Sequence, residues 1–263
     1  MNVRALVLTG FGINCDLETE TALGRAGASA ARMHLNDIIE NPAVLDEYHI
    51  LTIPGGFSFG DDVASGKILA NRLRYKLGRP LQKFIADGKL IIGICNGFQV
   101  MVKTGILPLF DSEFVQEVTL SHNDSARFED RWVHLKADPQ TRCVWLKGID
   151  RLTLPIRHGE GKFIPRDDAV LATLRDHGQI ALRYCLRDGA AAGGQYPMNP
   201  NGAIDDIAGI CDPSGRVFGL MPHPEGFFDR TNHPRWTREE VPEEGDGLRI
   251  LRNAVEYART ELA

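Results

Sequence analysis

The sequence predicts an α/β fold: a central, mostly parallel sheet with helices on both faces and a smaller antiparallel sheet extension. Three observations carry that expectation. Short apolar runs alternate with helical periodicity from Val3 to Lys103, the pattern of repeated βα units. The first and third of those runs and the one that ends in Cys95 are predominantly apolar, as strands buried on both faces are. Beyond Gly105 the segments shorten and alternate polar with apolar residues, the signature of antiparallel strands. With 263 residues the chain can bury one large core, and residues 1–263 are expected to form a single domain, with 226–247 as an extended loop before the last helix.

Val3 to Leu8 reads as the first buried strand. It is followed by the loop Gly10-Phe-Gly-Ile-Asn-Cys-Asp16, where Asn14 or Asp16 would cap a helix running to about Gly27. Gly10 and Gly12 open like a dinucleotide fingerprint, but Cys15 stands where the third glycine belongs, which argues against a nicotinamide or flavin site. A second strand (Ala28–Met33) leads through Asn41-Pro42 to a third, His49–Ile53. This one stops at Pro54-Gly55-Gly56-Phe-Ser-Phe-Gly60-Asp61-Asp62, where two glycines let the backbone approach a ligand closely. A P-loop is excluded, because Gly60 to Lys67 is one residue too long and Ile68 replaces the magnesium-binding hydroxyl.

Helices are expected over Ser65–Leu77 and Pro80–Asp87, and Gly88 then delivers the chain to the run that ends in Gly93-Ile-Cys95-Asn-Gly97. There the pattern matches a nucleophile elbow, a tight strand-to-helix turn, with Asn96 to Lys103 as the helix that follows. A thiol at the N-terminal end of that helix is favoured as thiolate and has free backbone N–H groups beside it. Val115–Leu120 and Arg131–Ala137 read as strands of an antiparallel insertion around the polar turn Ser121–Phe128. Leu152–Ile156 reads as another strand, Asp168–His177 as a helix and Gln179–Cys185 as a further strand. The Gly- and Ala-rich stretch Leu186–Gly202 reads as a mobile loop. Ile207–Cys211 and Arg216–Met221 form a hairpin through Asp212-Pro-Ser-Gly215 and lead into Pro222-His223-Pro224-Glu225. Asp246 to Leu262 closes the chain as an amphipathic helix.

Composition excludes several classes. Thirty basic against 35 acidic residues give a net charge of −5 with no dense Lys/Arg run, so nucleic acid is not expected as a ligand. Five cysteines with no C-x-x-C suggest neither a disulfide framework nor a zinc ribbon, and point to a reducing cytoplasm. The N-terminal segment lacks a signal-peptide pattern, and no apolar run is long enough to span a membrane.

A cysteine nucleophile needs a base, and the base needs an acceptor to fix its tautomer. Two His-x-Glu pairs are available, His158/Glu160 and His223/Glu225, because residues i and i+2 of an extended segment share a side. Pro222 and Pro224 stiffen the second pair, which favours it. His34, His49, His134, His177 and His233 read as surface or capping residues.

Gly93-Ile-Cys95-Asn-Gly-Phe-Gln99, Pro54-Gly-Gly-Phe-Ser-Phe-Gly-Asp61 and Pro222-His-Pro-Glu225 together resemble the class I glutamine amidotransferases. Asn14-Cys-Asp16, Asn123-x-Ser125-x-Arg127-Phe128, His158-Gly-Glu160-Gly161 and Asn199-Pro-Asn-Gly202 narrow the resemblance to the glutaminase subunits of phosphoribosylformylglycinamidine synthase, in purine biosynthesis. That resemblance implies a flavodoxin-like fold and a catalytic triad of Cys95 (nucleophile), His223 (base and acid) and Glu225 (orienting carboxylate). It implies an oxyanion hole from the backbone at Gly56 and Asn96, and glutamine contacts at Gln99 and, less directly, at Asn123, Ser125, Arg127 and Phe128. It assigns no role to His158 and Glu160 beyond lining the site or an interface.

The resemblance further implies L-glutamine as substrate and no cofactor or metal on this chain. ATP and magnesium would reside on a synthetase partner, assisted by a small third subunit. Two departures stand out: Arg157 where a small residue is expected, and the long segment 226–247, readable as a docking arm or a surface loop. Another class I amidotransferase pathway would share the triad, and a non-catalytic regulatory subunit would not need it.

Overall fold

The computed structural model describes residues 1–110 and 114–262. Its first part is a series of βα units: β1 (Arg4–Thr9), α1 (Asp16–Arg25), β2 (Ser29–His34), α2 (Leu35–Glu40), β3 (Ile50–Ile53), α3 (Lys67–Ala86), β4 (Leu90–Ile94) and α4 (Asn96–Thr104). The second part adds β5 (Val118–Ser121), β6 (Glu129–Ala137), β7 (Arg151–His158), β8 (Lys162–Pro165), α5 (Asp168–Asp176), β9 (Ile180–Cys185), β10 (Ile207–Cys211), β11 (Val217–Leu220) and α6 (Asp246–Glu261).

One nine-stranded sheet, in the order β2-β1-β3-β4-β11-β10-β9-β6-β7, runs through the molecule. The pairs from β2 to β11 are parallel, and β10, β9, β6 and β7 extend the same sheet by antiparallel pairing. The chain steps outward from β1 to β2, then back past β1 to β3 and β4. With right-handed crossovers this reversal puts α1 on one face and α2 and α3 on the other. Accordingly α1 packs beside α6, and α3 beside α4. Leu90, Ile91, Ile92 and Ile94 of β4 are 0 % exposed, and burying each such side chain contributes about 1.5–3 kcal/mol.

Four local expectations are corrected. Neither Asn14 nor Asp16 caps α1: the cap position is Cys15, whose side chain makes no capping bond, while Asp16 enters the first turn and pairs with Arg32 at 3.1 Å. The two helices expected on either side of Pro80 are one helix, α3, with Pro80 inside it. The carbonyl that proline leaves without a partner belongs to Lys76, on the solvent side, where water can satisfy it. β5 and β6 do not pair with each other. β5 joins β8 in a separate two-stranded sheet, and β6 inserts between β7 and β9. The stretch expected to be mobile is pinned from inside: the Asp206 carboxylate, 7 % exposed, accepts the Gly193 and Gly194 N–H groups at 2.7 and 2.8 Å and the Asn199 side-chain amide at 2.9 Å.

Segment 226–247 folds back onto the antiparallel end. Phe227 and His233 pack on Trp132 with ring centroids 5.0 Å apart in each case, and Asp229 bridges to Glu244. A cavity of about 640 Å³ lies between this arm and strands β6, β7 and β9, lined among others by His134, Arg151, Arg187 and Arg235. Neither Cys95, His223 nor Glu225 lines it.

Candidate active site

Four neighbouring parallel strands, β1, β3, β4 and β11, end on one side of the sheet, next to the point where the chain reverses its direction of travel. Carboxyl ends at such a switch point are where open α/β sheets hold ligands. There the loops after β1 and β3 lie along each other. Asn14 and Cys15 donate their N–H groups to the Gly55 carbonyl at 3.4 and 3.2 Å, and Phe57 donates to the Gly12 carbonyl at 2.7 Å.

Cys95 sits between β4 and α4 with φ 52° and ψ −106°, a left-handed backbone that costs a non-glycine residue about 1–3 kcal/mol. Its N–H donates to the Leu220 carbonyl at 2.8 Å, tying the turn to β11. Gly97 is required by close approach, since a Cβ there would meet the Ile53 carbonyl oxygen at 1.8 Å. The Cys95 thiol, 6 % exposed, faces the Arg157 carbonyl at 3.6 Å.

His223 follows β11 by three residues and is held by its N–H to the Pro155 carbonyl at 2.9 Å. Its Nδ1 lies 2.5 Å from Glu225 Oε1, and both residues are 2 % exposed. Burial opposes a charge on this imidazole. The Glu225 carboxylate and the Cys95 sulfur outweigh burial and hold His223 well above the ordinary histidine range. His223 Nε2 has no hydrogen-bond partner and is free to take or give a proton.

A pocket of about 240 Å³ opens onto these groups, lined by Asn14, Cys15, Glu18, Gly56, Phe57, Cys95, Phe128, Arg157 and His223. Sites for drug-sized ligands run to about 300–1,000 Å³, so this one suits an amino acid. Among the described residues the Gly56 and Asn96 N–H groups have no acceptor, which leaves both available to a developing oxyanion. Cys15 lines the pocket as well, a residue of the Asn14-Cys-Asp16 motif to which the sequence assigned no role. Burial raises its thiol, and the nearby His223 partly offsets that rise.

Asn96, Gln99 and Asn123 form a buried scaffold behind the pocket, whereas Ser125 and Arg127 stand on the surface turn and line no part of it. The Asn96 side chain accepts the Ser58 N–H at 3.2 Å and donates to Asp61 Oδ1 at 3.1 Å and to Gln99 Oε1 at 2.9 Å. Gln99 in turn donates to the Glu160 carbonyl at 2.6 Å, so both ends of its amide are engaged within the protein, and it is not a lining residue of the pocket. Asn123 donates to the His158 and Arg127 carbonyls at 2.8 and 3.0 Å and accepts the Gly161 N–H at 3.0 Å. It is 3 % exposed and likewise lines no part of the pocket. Ser125 accepts the Arg127 N–H at 3.4 Å on the exposed turn. Phe128 reaches the pocket and stacks on Phe57 at 6.3 Å.

His158 is the second buried imidazole, 3 % exposed, with Nδ1 3.2 Å from Asn123 Oδ1. Burial, and then the charge on His223, push it down to about 3 from an ordinary value of 6.5. The unfolded chain therefore binds this proton below pH 6.5 and the folded chain only near pH 3. The stabilisation is full above pH 6.5 and is lost as pH falls toward 3, with a magnitude on the order of a few kcal/mol. His223 acts with the opposite sign, stabilising below pH 6.5 and losing that contribution as pH rises through its raised value. Urea unfolding at a series of pH values should show wild type losing more stability than His158→Gln between neutrality and pH 4. Equal losses would assign the acid lability to other groups.

Comparison with known proteins agrees with this architecture. The sequence matches the CobB/CobQ-like glutamine amidotransferase domain over residues 2–258. It is 47% identical to the phosphoribosylformylglycinamidine synthase subunit PurQ of Dehalococcoides mccartyi, covering 98% of both chains, and 40% identical to that of Archaeoglobus fulgidus, covering 97% of both. A chain of the PurLQS structure from Thermotoga maritima superposes with a TM-score of 0.72 at 31% identity, covering 98% of this chain and 99% of that one. A glutamine amidotransferase from Thermotoga maritima, 15% identical with a TM-score of 0.57 over 99% of both chains, shares the fold. With matches that run almost from end to end, the chain belongs to the CobB/CobQ-like glutamine amidotransferases and, within them, to the glutaminase subunits of phosphoribosylformylglycinamidine synthase.

Proposed function

We propose that Cys95, His223 and Glu225 are the catalytic triad with which this subunit releases ammonia from L-glutamine. The observation that carries the assignment is the buried 2.5 Å contact between His223 and Glu225, with His223 lining the same pocket as the Cys95 thiol on its strained elbow. Cys95 sulfur attacks the side-chain carboxamide of glutamine, and negative charge develops on the carbonyl oxygen. The N–H groups of Gly56 and Asn96 stabilise that charge, each such donor contributing roughly 2.7–4 kcal/mol. His223 Nε2 protonates the departing nitrogen, and ammonia leaves. A water molecule then gives its proton to His223 and hydrolyses the thioester to glutamate. Glu225 holds Nδ1 throughout and stabilises the imidazolium.

Glu18 and Arg157 carry opposite charges at the rim of the pocket, which fits the ammonium and carboxylate of the amino-acid end of the substrate. Arg157, a departure from the expected small residue, thereby gains a role. Gln99 and Asn123 act by holding the elbow and the segment 158–161. Phe57 and Phe128, 49 % and 53 % exposed, line the entrance, an apolar rim suited to a protein partner. We read that partner as the synthetase subunit, which carries ATP and magnesium and receives the ammonia with the aid of a small third subunit. The likeness to a chain of PurLQS supports this reading. Five unpaired cysteines and the lack, among the described residues, of any helix long and apolar enough to cross a membrane fit a cytoplasmic setting.

The test is glutamate release by this chain, alone and mixed with the candidate synthetase, its nucleotide substrate and ATP. Release should rise on mixing, and Arg157→Ala should raise KM for glutamine with a smaller change in kcat. No release under any condition would defeat the glutaminase assignment. An unchanged KM would remove Arg157 from substrate binding.

A further inference from the structure

The proposed chemistry needs two backbone donors at a fixed spacing, and they belong to different parts of the chain: Gly56 follows β3 and Asn96 follows β4. The first is aimed by the loop after β1. The Gly55 carbonyl accepts the Asn14 and Cys15 N–H groups at 3.4 and 3.2 Å, and in a trans peptide the next N–H points the opposite way, so the direction of the Gly56 donor is set. That contact does not fix its distance from Asn96.

The spacing is held by side chains. Asn96, 1 % exposed, places its amide between two points of the Gly56 loop: Oδ1 accepts the Ser58 N–H at 3.2 Å, and Nδ2 donates to Asp61 Oδ1 at 3.1 Å. A carboxylate accepts and does not donate, so Asn96 must turn Nδ2 toward Asp61, which leaves Oδ1 for Ser58. The same Asp61 oxygen accepts the Gly66 N–H at 3.0 Å and closes the loop against the start of α3. At the far end Lys103 of α4 donates Nζ to the Ser65 carbonyl. Phe59, Gly60 and Asp61 have φ of 54°, 69° and 53°, three left-handed residues in a row, of which two carry side chains. Such a backbone persists only where its surroundings over-determine it, and the bonds to Asp61 are part of what does so.

The geometry points to Asp61 as a positioning residue of the glutaminase reaction, a role that rests on the triad and oxyanion hole proposed above. Acting through the Asn96 side chain, its carboxylate locks the Gly56 loop to the Cys95 elbow and sets the gap between the two oxyanion donors. Asp61 lines no part of the pocket and does not touch the reacting atoms. Its removal leaves Cys95, His223 and both N–H groups in place in the chain and loosens the spacing of the donors. Charge developing on oxygen is sensitive to that spacing, whereas glutamine in its ground state is held by the rest of the pocket.

Steady-state glutamate release is measured with the synthetase, its nucleotide substrate and ATP present. Asp61→Ala should lower kcat by roughly 10²-fold, the cost of a misplaced donor, with KM for glutamine within about twofold of wild type. Asp61→Asn keeps an acceptor oxygen at the same place and should recover part of the loss. Asn96→Ala retains its own backbone donor, and because Asp61 acts through the Asn96 side chain, adding Asp61→Ala to it should cost less than about twofold more. Alkylation of Cys95 by iodoacetamide, a displacement at carbon that builds no oxyanion, is followed by mass spectrometry of the Cys95 peptide. Its rate in Asp61→Ala should stay within about threefold of wild type, which also shows that the variant is folded around an intact nucleophile. A kcat within about threefold of wild type, a loss expressed in KM, losses that multiply in the double variant, or alkylation that slows in step with hydrolysis overturns the role of Asp61. Wild type that releases no glutamate defeats the glutaminase reading and the role of Asp61 with it. Release by wild type that Asp61→Ala matches defeats Asp61 alone.

Discussion

Replacing Cys95 with alanine should abolish glutamine-dependent amination while the reconstituted complex continues to use ammonium salts. The glutamine half-reaction needs a covalent thioester, and removing the nucleophile of such a unit typically costs a factor on the order of 10⁴ or more. The alanine keeps a Cβ at the strained elbow, so the Gly56 and Asn96 donors and the partner surface should survive. Ammonia supplied from solution bypasses this chain's chemistry altogether. The measurement is a pair of product-formation rates, one with glutamine and one with ammonium chloride. Loss of both together would point to a collapsed subunit or a wrongly assigned nucleophile, and thermal unfolding of the variant separates those two cases.

Removing the imidazole of His223 should reduce glutamate release by roughly 10²–10⁴-fold, the usual contribution of a positioned acid and base. His158→Ala should cost less than about one order of magnitude, or about 1.4 kcal/mol. The reason lies in their surroundings. His223 has Nε2 without a hydrogen-bond partner, a carboxylate on Nδ1 and an affinity for protons raised by its neighbours. His158 is held neutral by burial, and its Nδ1 is occupied by Asn123, so its loss acts through packing and not through proton transfer. Steady-state glutaminase assays of both variants with the synthetase present decide the order. A larger loss in His158→Ala would transfer the catalytic base to the first His-x-Glu pair.

The inner strands of the parallel half, β3, β4 and β11, were legible because they are predominantly apolar runs bounded by turn residues, whereas the edge strand β2 carries Ser29, Arg32 and His34. β4 and the Cys95 elbow were read to within a residue. The His223 and Glu225 pair was legible for a similar reason: two residues apart on one segment, they need no tertiary information to be brought together. The scaffold residues were harder. The bond from Gln99 to the Glu160 carbonyl spans 61 residues, and that from Asn123 to the His158 carbonyl spans 35, so nothing local distinguishes a structural amide from a substrate-binding one. Cys15 was hidden likewise, since its place beside His223 depends on the loop after β1 lying against Gly55. The partner of β5 could not be read from alternation alone, because the period of a strand identifies its buried face but not its neighbour.

The position of β11 between β4 and β10 has a consequence for how the protein comes into being. Cys95 is encoded well before His223, and the hairpin that leads to His223 must travel back to the middle of a sheet whose other parallel strands lie earlier in the chain. Such long-range pairing is intrinsically slow. A chain in which β11 has not yet paired with β4 therefore has the Cys95 sulfur without the His223 imidazole beside it. The proposed triad is thus assembled by the pairing of β11 with β4, and a change that weakens that pairing should lower activity before it unfolds the rest of the sheet.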